Sequence, residues 1–306
     1  MEKKNFRYGL GKLTTVCPAC HRRTFKPYID LQSGQPLDAK SCGRCNREVN
    51  CRYHLTPAEY LANTPNRPTL FLSAAAPAAI DPPSFLSERP PLQDGTELIR
   101  DTLFRWMFFL FGNDPGVVRV WKAYRAYHDR GLGGSAGFPL IDRFGNFRST
   151  KLMRYDPNGH RCKNALNDAK NVAWKHTGLP GYCFRACFFG EHLVRAFPKA
   201  TVNIVESEKT ALLCAVEYGY GDRQIWVASG GCSGLRGSAE DLRDPHFRLS
   251  FLRGRNVRLI PDNDSVERWK ECTGELRKFC RSVTVEPVAG LTGSEDLGDL
   301  IVRRHT

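Results

Sequence analysis

The sequence predicts an α/β protein whose C-terminal part contains a mostly parallel β-sheet. From about residue 200, short apolar strands alternate with helices, which is the pattern of a parallel sheet. Acidic residues directly follow two of these strands, and closely spaced cysteine pairs lie near the N-terminus. We therefore expect a parallel-sheet domain preceded by a metal-stabilised module.

Composition divides the chain into four predicted segments. Residues 1–62 are rich in cysteine and in basic residues. Residues 63–95 contain too much proline for a helix or a central strand, so they form the predicted linker. Residues 96–198 mix helical and strand-like runs, and residues 199–306 carry the alternating strands and helices.

Residues 96–198 are predicted to form an α+β region. TELIRDTLFRWMFFLFG predicts one helix, and VVRVWKAYRAYHDRG predicts a second helix that ends at Gly131. GFPLIDRFGNFRSTKLMRYD and GYCFRACFFG predict strands and turns.

The charge balance points to an anionic partner. Lys and Arg number 45 against 32 Asp and Glu, which gives a formal net charge of +13. Nucleic acid is the usual partner of such a chain, and an anionic membrane surface is the alternative. No apolar run is long enough to cross a membrane, and the N-terminus lacks the apolar core of a signal peptide. We therefore expect a cytoplasmic protein with no membrane partner.

The cysteine spacing predicts a structural zinc site. Twelve cysteines in a cytoplasmic chain favour metal ligands and buried thiols over disulfides. Cys17 and Cys20 form one CxxC pair, and Cys42 and Cys45 form another. Two such pairs supply four thiolates for one tetrahedral zinc. The alternative, buried cysteines without a metal, is disfavoured because so small a module buries little core.

The ligand set stays open at this point. Cys51 and His54 follow the second pair closely, so the site can also close with Cys45 and Cys51. In either case a site with four protein ligands is structural and has no open position for catalysis.

Three carboxylates follow strands of the predicted sheet. Glu206 comes directly after an apolar strand, and Asp262 and Asp264 come after a later one. Because the carboxyl ends of parallel strands meet at one edge, we expect these side chains to lie close together. Clustered carboxylates repel one another unless a cation neutralises them, and oxygen ligands suit Mg²⁺ or Mn²⁺. The alternative is that these residues are ordinary turn or helix-capping residues.

The order of these motifs resembles the TOPRIM domain of bacterial primases, topoisomerases, recombination mediators and some nucleases. The matching pieces are IVESEKTALL, WVASGG and LIPDND, with GSEDLGDLI near the end and GFPLIDRFGNF upstream. The resemblance implies a Rossmann-like TOPRIM fold with an N-terminal zinc ribbon and a primase-like α+β subdomain. It is closest to primase-like proteins carried by bacterial mobile elements.

The resemblance also implies an activity. It is DNA primase-like primer synthesis in DNA replication, a metal-dependent nucleotidyl transfer. Glu206 would be a general base or metal ligand, and Asp262 and Asp264 would be metal ligands. The implied partners are single-stranded DNA, nucleotides and, because the chain has no P-loop motif, a separate helicase. Two alternatives stay open, a TOPRIM nuclease and a non-catalytic DNA-binding accessory. Asp296 and Asp299 in the last motif are either secondary metal contacts or helix caps.

A basic and aromatic stretch is the candidate template groove. Lysine and arginine attract backbone phosphates, and aromatic rings stack on bases. The alternative is a solvated basic surface with the tryptophan in the core. The candidate residues are Arg161, Lys163, Trp174, Lys175 and His176.

Overall fold

The computed structural model describes residues 8–11, 13–31, 34–47, 50–62, 82–131, 134–162 and 172–306. The chain divides into two compact units, residues 1–80 and 81–306. Most of the predicted linker lies outside the described residues. No helix in the described parts of the chain is both long and apolar enough to cross a membrane.

The first unit is a small antiparallel sheet followed by one helix. Its strands pair in the order β1-β2-β3-β4, and Phe25 packs against Cys17 and Cys45 in its small core. Thr56 and Glu59 cap the helix, because the side chain of each accepts a hydrogen bond from the backbone N–H of the other. The elements are β1 Tyr8–Leu10, β2 Phe25–Asp30, β3 Gly43–Cys45, β4 His54–Leu55 and α1 Pro57–Ala62.

The second unit begins with three helices and an antiparallel sheet of order β5-β6-β7-β8. The helices are α2 Gly95–Leu98, α3 Thr102–Leu110 and α4 Pro115–Ala123. The strands are β5 Tyr127–Asp129, β6 Ser135–Ile141, β7 Phe147–Met153 and β8 Val172–Trp174.

Three details of this region differ from the sequence prediction. The first predicted helix is two helices, because buried Asp101 accepts a hydrogen bond from the Phe104 N–H and starts a new one. The second ends before Gly131, because Arg125 has a φ of 58° that no helix continues, and β5 follows. Residues 181–190, all described, form no strand; their β-pairing is one bridge between Phe189 and Ala228.

The rest of the second unit is built on the parallel sheet, which confirms the predicted α/β class. Its strands are β9 Thr201–Val205, β10 Gln224–Ala228, β11 Asn256–Leu259 and β12 Ser282–Val285. Its helices are α5 Leu193–Ala196, α6 Glu208–Glu217, α7 Val266–Leu276 and α8 Leu297–His305. Short 3-10 turns lie at Cys232–Leu235, Ala239–Arg243, Ser250–Leu252 and Asn263–Ser265.

The strand order of this sheet is β10-β9-β11-β12, and every neighbouring pair is parallel. After β9 the chain forms β10 on one side of it, and then crosses to form β11 on the other side. Between β9 and β11 the direction of winding reverses. In open α/β sheets, the crevice at such a point, outside the carboxyl ends of the strands, is where ligands bind.

The predicted segments 96–198 and 199–306 share one hydrophobic core. Trp121 and Phe138 belong to the same buried cluster as Ile204 and Trp269. The buried Tyr124 hydroxyl also donates a hydrogen bond of 2.7 Å to the Trp226 carbonyl, which joins α4 to β10. The antiparallel sheet thus supports the parallel one within a single packed unit.

Candidate functional site

Glu206 and Asp262 follow neighbouring strands at the winding reversal. In the register of β9 and β11, Leu259 pairs with Ile204, and the Ile260 N–H donates to the Ile204 carbonyl at 2.9 Å. The residues after the two strands therefore emerge at the same edge of the sheet. We refer to this part of the molecule as the acidic edge.

The carboxylate of Glu206 is buried and only partly satisfied. Its side chain is 9% exposed, and its Oε1 makes no hydrogen bond to any described residue. Burial, and then the charge of Asp264, raise the pKa of Glu206. The Ser265 hydroxyl, the Arg268 charge and the backbone of Asp262 oppose that shift. A buried carboxylate oxygen without a donor is costly unless a ligand satisfies it.

Asp262 lies at the centre of the negative charge. Burial, and then the carboxylates of Glu206, Asp296, Asp264 and Asp299, raise the pKa of Asp262 to about 8. Like charges close together disfavour ionisation of each member. A divalent cation bound among these groups would remove the repulsion.

The acidic edge is more open than a closed metal cage. Among the described residues, the group whose ligand atoms all lie within 4.8 Å of one another consists of four cysteines. Glu206, Asp262 and Asp264 do not form such a group, and Asp264 is exposed. The donor set still fits magnesium, which keeps several waters and uses only one or two protein carboxylates.

Asp296 and Asp299 are helix-capping residues. The carboxylate of each accepts a hydrogen bond of 3.0 Å from the backbone N–H of the other at the start of α8. Asp296 also accepts a hydrogen bond from the Thr210 hydroxyl of α6. Of the two roles that the sequence left open, the structure shows capping, while both charges still act on Asp262.

A buried ion pair beside the acidic edge is absent from the sequence prediction. Glu208, in the first turn of α6, accepts hydrogen bonds of 2.9 and 2.8 Å from the Lys151 ammonium group on β7. The side chains are 3% and 14% exposed. The pair joins the antiparallel sheet to the helix that follows Glu206. No local pattern links two residues 57 positions apart, so the sequence carried no signal for it.

We expect Lys151→Met to destabilise the protein by about 3 kcal/mol, because it leaves the Glu208 carboxylate buried without its partner. Urea unfolding of the variant and of wild type measures the loss. The double variant Lys151→Met/Glu208→Gln is the control, and most of the stability should return in it. An equal loss in single and double variants would contradict the ion-pair interpretation.

The four grouped cysteines are Cys17, Cys20, Cys45 and Cys51. The sulfurs of Cys17 and Cys51 are 3.6 Å apart, and those of Cys20 and Cys45 are 3.9 Å apart. A backbone hydrogen bond from Arg22, followed by the neighbouring thiols, lowers the pKa of Cys20 to about 6 against the effect of burial. Four sulfurs at this spacing match the ligand set of a structural zinc.

Cys42 lies outside that group, although it belongs to the second CxxC motif. Cys45 ends β3, and Cys42 lies directly before that strand, where its carbonyl still accepts a hydrogen bond from the Tyr28 N–H. Side chains alternate along an extended segment, so residues three positions apart point to opposite sides. The first pair lies in a turn, where both thiols can face one ion. The Cys42 thiol is fully buried 3.9 Å from the Leu55 carbonyl, and burial raises its pKa to about 11. His54, which follows the second pair closely in sequence, also lies outside the group, and its Nε2 is hydrogen-bonded to the Tyr28 hydroxyl at 2.9 Å.

The candidate template residues occupy mixed environments. Trp174 is half-buried and His176 stacks on Phe184, with ring centroids 3.8 Å apart. Lys175 forms an ion pair of 2.7 Å with Asp129. Arg161 is exposed, and Lys163 lies outside the described residues.

Trp174 pairs with Lys151 across β7 and β8, so this aromatic cluster lies next to the Lys151–Glu208 ion pair. The aromatic candidates Trp174 and His176 thus lie close to the acidic edge. Lys175 is already paired with Asp129 within the protein.

Two family models match the chain. A family described as a domain of unknown function, DUF6371, matches residues 101–263. A zinc beta-ribbon finger family matches residues 6–66. The second match and the four-cysteine group together support a structural Zn²⁺ in the N-terminal unit. No curated protein matches the chain.

Two solved structures from bacteriophage T7 are similar to part of the chain. One is the primase fragment of the primase-helicase protein, at 16% identity and a TM-score of 0.37. The match covers 61% of this chain and 66% of that fragment, just under two thirds of it. The other is a lagging-strand DNA polymerase interacting with primase domains bound to an RNA/DNA hybrid and dTTP. That match has 15% identity and a TM-score of 0.39, and covers 61% of this chain and 81% of the other.

Proposed function

The chain belongs to the DUF6371 family, and from the geometry of the acidic edge we propose that it catalyses metal-dependent nucleotidyl transfer on nucleic acid. The specific form that we propose is DNA primase-like primer synthesis on a TOPRIM fold. The substrates would be nucleotides, and the template would be single-stranded DNA.

One observation carries the proposal. Glu206 and Asp262 emerge side by side where the winding of a parallel sheet reverses, and the Glu206 Oε1 is buried without a donor. Structural carboxylates are normally paired or hydrogen-bonded when buried. Buried carboxylates with raised pKa values at this position support a site that binds a cation and phosphates.

Asp262 and Asp264 would hold magnesium or manganese, and Glu206 would act as a further ligand or as the general base. The bound ion would neutralise phosphate charge and orient the reacting oxygens. Burial raises the pKa of Glu206, and a higher pKa makes a carboxylate a better proton acceptor. The Lys151–Glu208 pair would fix the first turn of α6 and so the position of Glu206.

The zinc ribbon and the basic surplus support a nucleic-acid partner. The formal charge of +13 favours binding to a polyanion, and the aromatic cluster of Trp174, His176 and Phe184 offers stacking surfaces. A separate helicase, in DNA replication or in mobilisation of an element, remains part of the proposal because the chain contains no P-loop motif.

The test is an incubation of the protein with single-stranded DNA, labelled nucleoside triphosphates and Mg²⁺ or Mn²⁺. We expect metal-dependent extension into short labelled products, and none with Glu206→Gln. Cleavage of the DNA without extension would favour the nuclease alternative instead. DNA binding that is the same with and without metal, with neither product, would favour a non-catalytic accessory.

A further inference from the structure

A basic cavity of about 200 Å³ lies in the second unit, away from the acidic edge. Three arginines line it, Arg89, Arg125 and Arg195, together with His192 and apolar residues. Among the described residues that line the cavity, none carries a carboxylate. Arg89 and Arg195 are exposed and Arg125 is half-buried, so the cavity presents positive charge to solvent where an anion can reach it.

The cavity lies near the amino end of the parallel sheet. His192 and Arg195 belong to the segment around α5, which directly precedes β9. Arg255, directly before β11, donates hydrogen bonds to the carbonyls of Val194 and Pro198 and so holds α5 at this end. Because β9 has five residues, the two ends are separated by about 16 Å. The cavity is therefore separate from the acidic edge.

The arginine charges are not used elsewhere in the part of the chain that the structure describes. None of the three forms an ion pair there, and Arg89 and Arg125 make no side-chain hydrogen bond to a described residue. Arg195 makes one contact of 3.3 Å with the Phe144 carbonyl. His192 donates from Nε2 to the Ala123 carbonyl at 2.9 Å, and burial lowers its pKa. The histidine is therefore neutral, and the charge comes from the arginines.

The end of α4 brings Arg125 to the cavity. Arg125 has a φ of 58° in the C-cap turn of α4, where its N–H donates to the Lys122 carbonyl and the Ala126 N–H donates to the Trp121 carbonyl. A left-handed residue is an ordinary way to end a helix. The turn places the Arg125 side chain at the cavity wall before β5 begins.

We propose that this cavity binds a phosphate group of a nucleic acid or of a nucleotide. Guanidinium groups form paired hydrogen bonds with phosphate oxygens, and three of them around one space suit a polyanion. The two sources share that chemistry, either a backbone phosphate or the phosphate chain of a free nucleotide. The proposal does not depend on the function assigned to the acidic edge.

The test compares Arg89→Ser/Arg195→Ser with the control Arg277→Ser/Arg281→Ser, which removes two exposed arginines elsewhere. Calorimetric titration at low salt uses tripolyphosphate and an oligothymidylate as probes. We expect the first variant to bind at least one probe about 10-fold or more weakly than wild type, because two charge-assisted contacts are lost. The control should stay within about 2-fold of wild type.

Each outcome bears on the proposal. Loss confined to tripolyphosphate identifies a free nucleotide as the source, and loss that includes the oligothymidylate identifies the polynucleotide backbone. Absence of binding to wild type, or equal weakening in the two double variants, overturns the proposal. The titrations contain no divalent cation and read binding alone, so a failure here is distinguishable from a failure at the acidic edge.

Discussion

Replacing Asp262 with asparagine should abolish metal-dependent activity, with a loss of at least about 100-fold, because a bound ion supplies several kcal/mol of charge stabilisation. Stability without Mg²⁺ should stay the same or rise. The substitution removes the carboxylate on which four other negative charges act, and it retains the size and the polar character of the side chain. Activity assays and urea unfolding of the same preparations measure the two effects.

Asp222→Asn is the matched control for this prediction. Asp222 is an exposed aspartate before β10, so its substitution changes the net charge equally without touching the acidic edge. It should leave activity and stability as in wild type. If both Asp262→Asn and Asp264→Asn lose the fold, the two residues have a structural role as turn or capping residues, and the assignment as metal ligands is wrong.

Replacing Cys51 with alanine should remove bound zinc, whereas replacing Cys42 with alanine should leave it in place. Wild-type protein purified without added metal should contain about one zinc per chain, because one tetrahedral site takes four thiolates. Cys51 belongs to the four-sulfur group and Cys42 does not. Elemental analysis of the zinc content of wild type, Cys51→Ala and Cys42→Ala tests this prediction.

Chelation provides the second readout of the zinc site. Since metal binding contributes folding free energy in a unit with so small a core, removal of zinc should unfold residues 1–62. The parallel sheet should keep its cooperative unfolding, because its core lies in the other unit. Zinc near zero in folded wild type, or zinc lost equally in both cysteine variants, would contradict the account.

The parallel sheet was predictable because its signals are local. Apolar strands such as Val202–Val205, alternating with helices, predict the elements, and parallel pairing then places the strand ends at one edge. The zinc site was predictable in kind, since a CxxC turn is a local signal as well. The choice between Cys42 and Cys51 depended on the faces of β3, which the motif alone does not report.

What the sequence did not predict depends on contacts between distant residues. The Lys151–Glu208 ion pair and the basic cavity bring together residues from separate segments. The break between α2 and α3 depends on the buried carboxylate of Asp101, and the end of α4 on the backbone at Arg125. These features follow from tertiary packing, which overrides local helical preference.

The central claim is that Asp262 and Asp264 hold a divalent cation beside Glu206, where the winding of the parallel sheet reverses. Titration of Mn²⁺ followed by electron paramagnetic resonance tests it directly, on zinc-loaded protein so that the cysteine site is filled. Wild type should bind Mn²⁺, magnesium should displace it, and Asp262→Asn and Asp264→Asn should each weaken the binding by about 10-fold or more. Mn²⁺ binding of equal strength in wild type and both variants, or none in wild type, would contradict the claim.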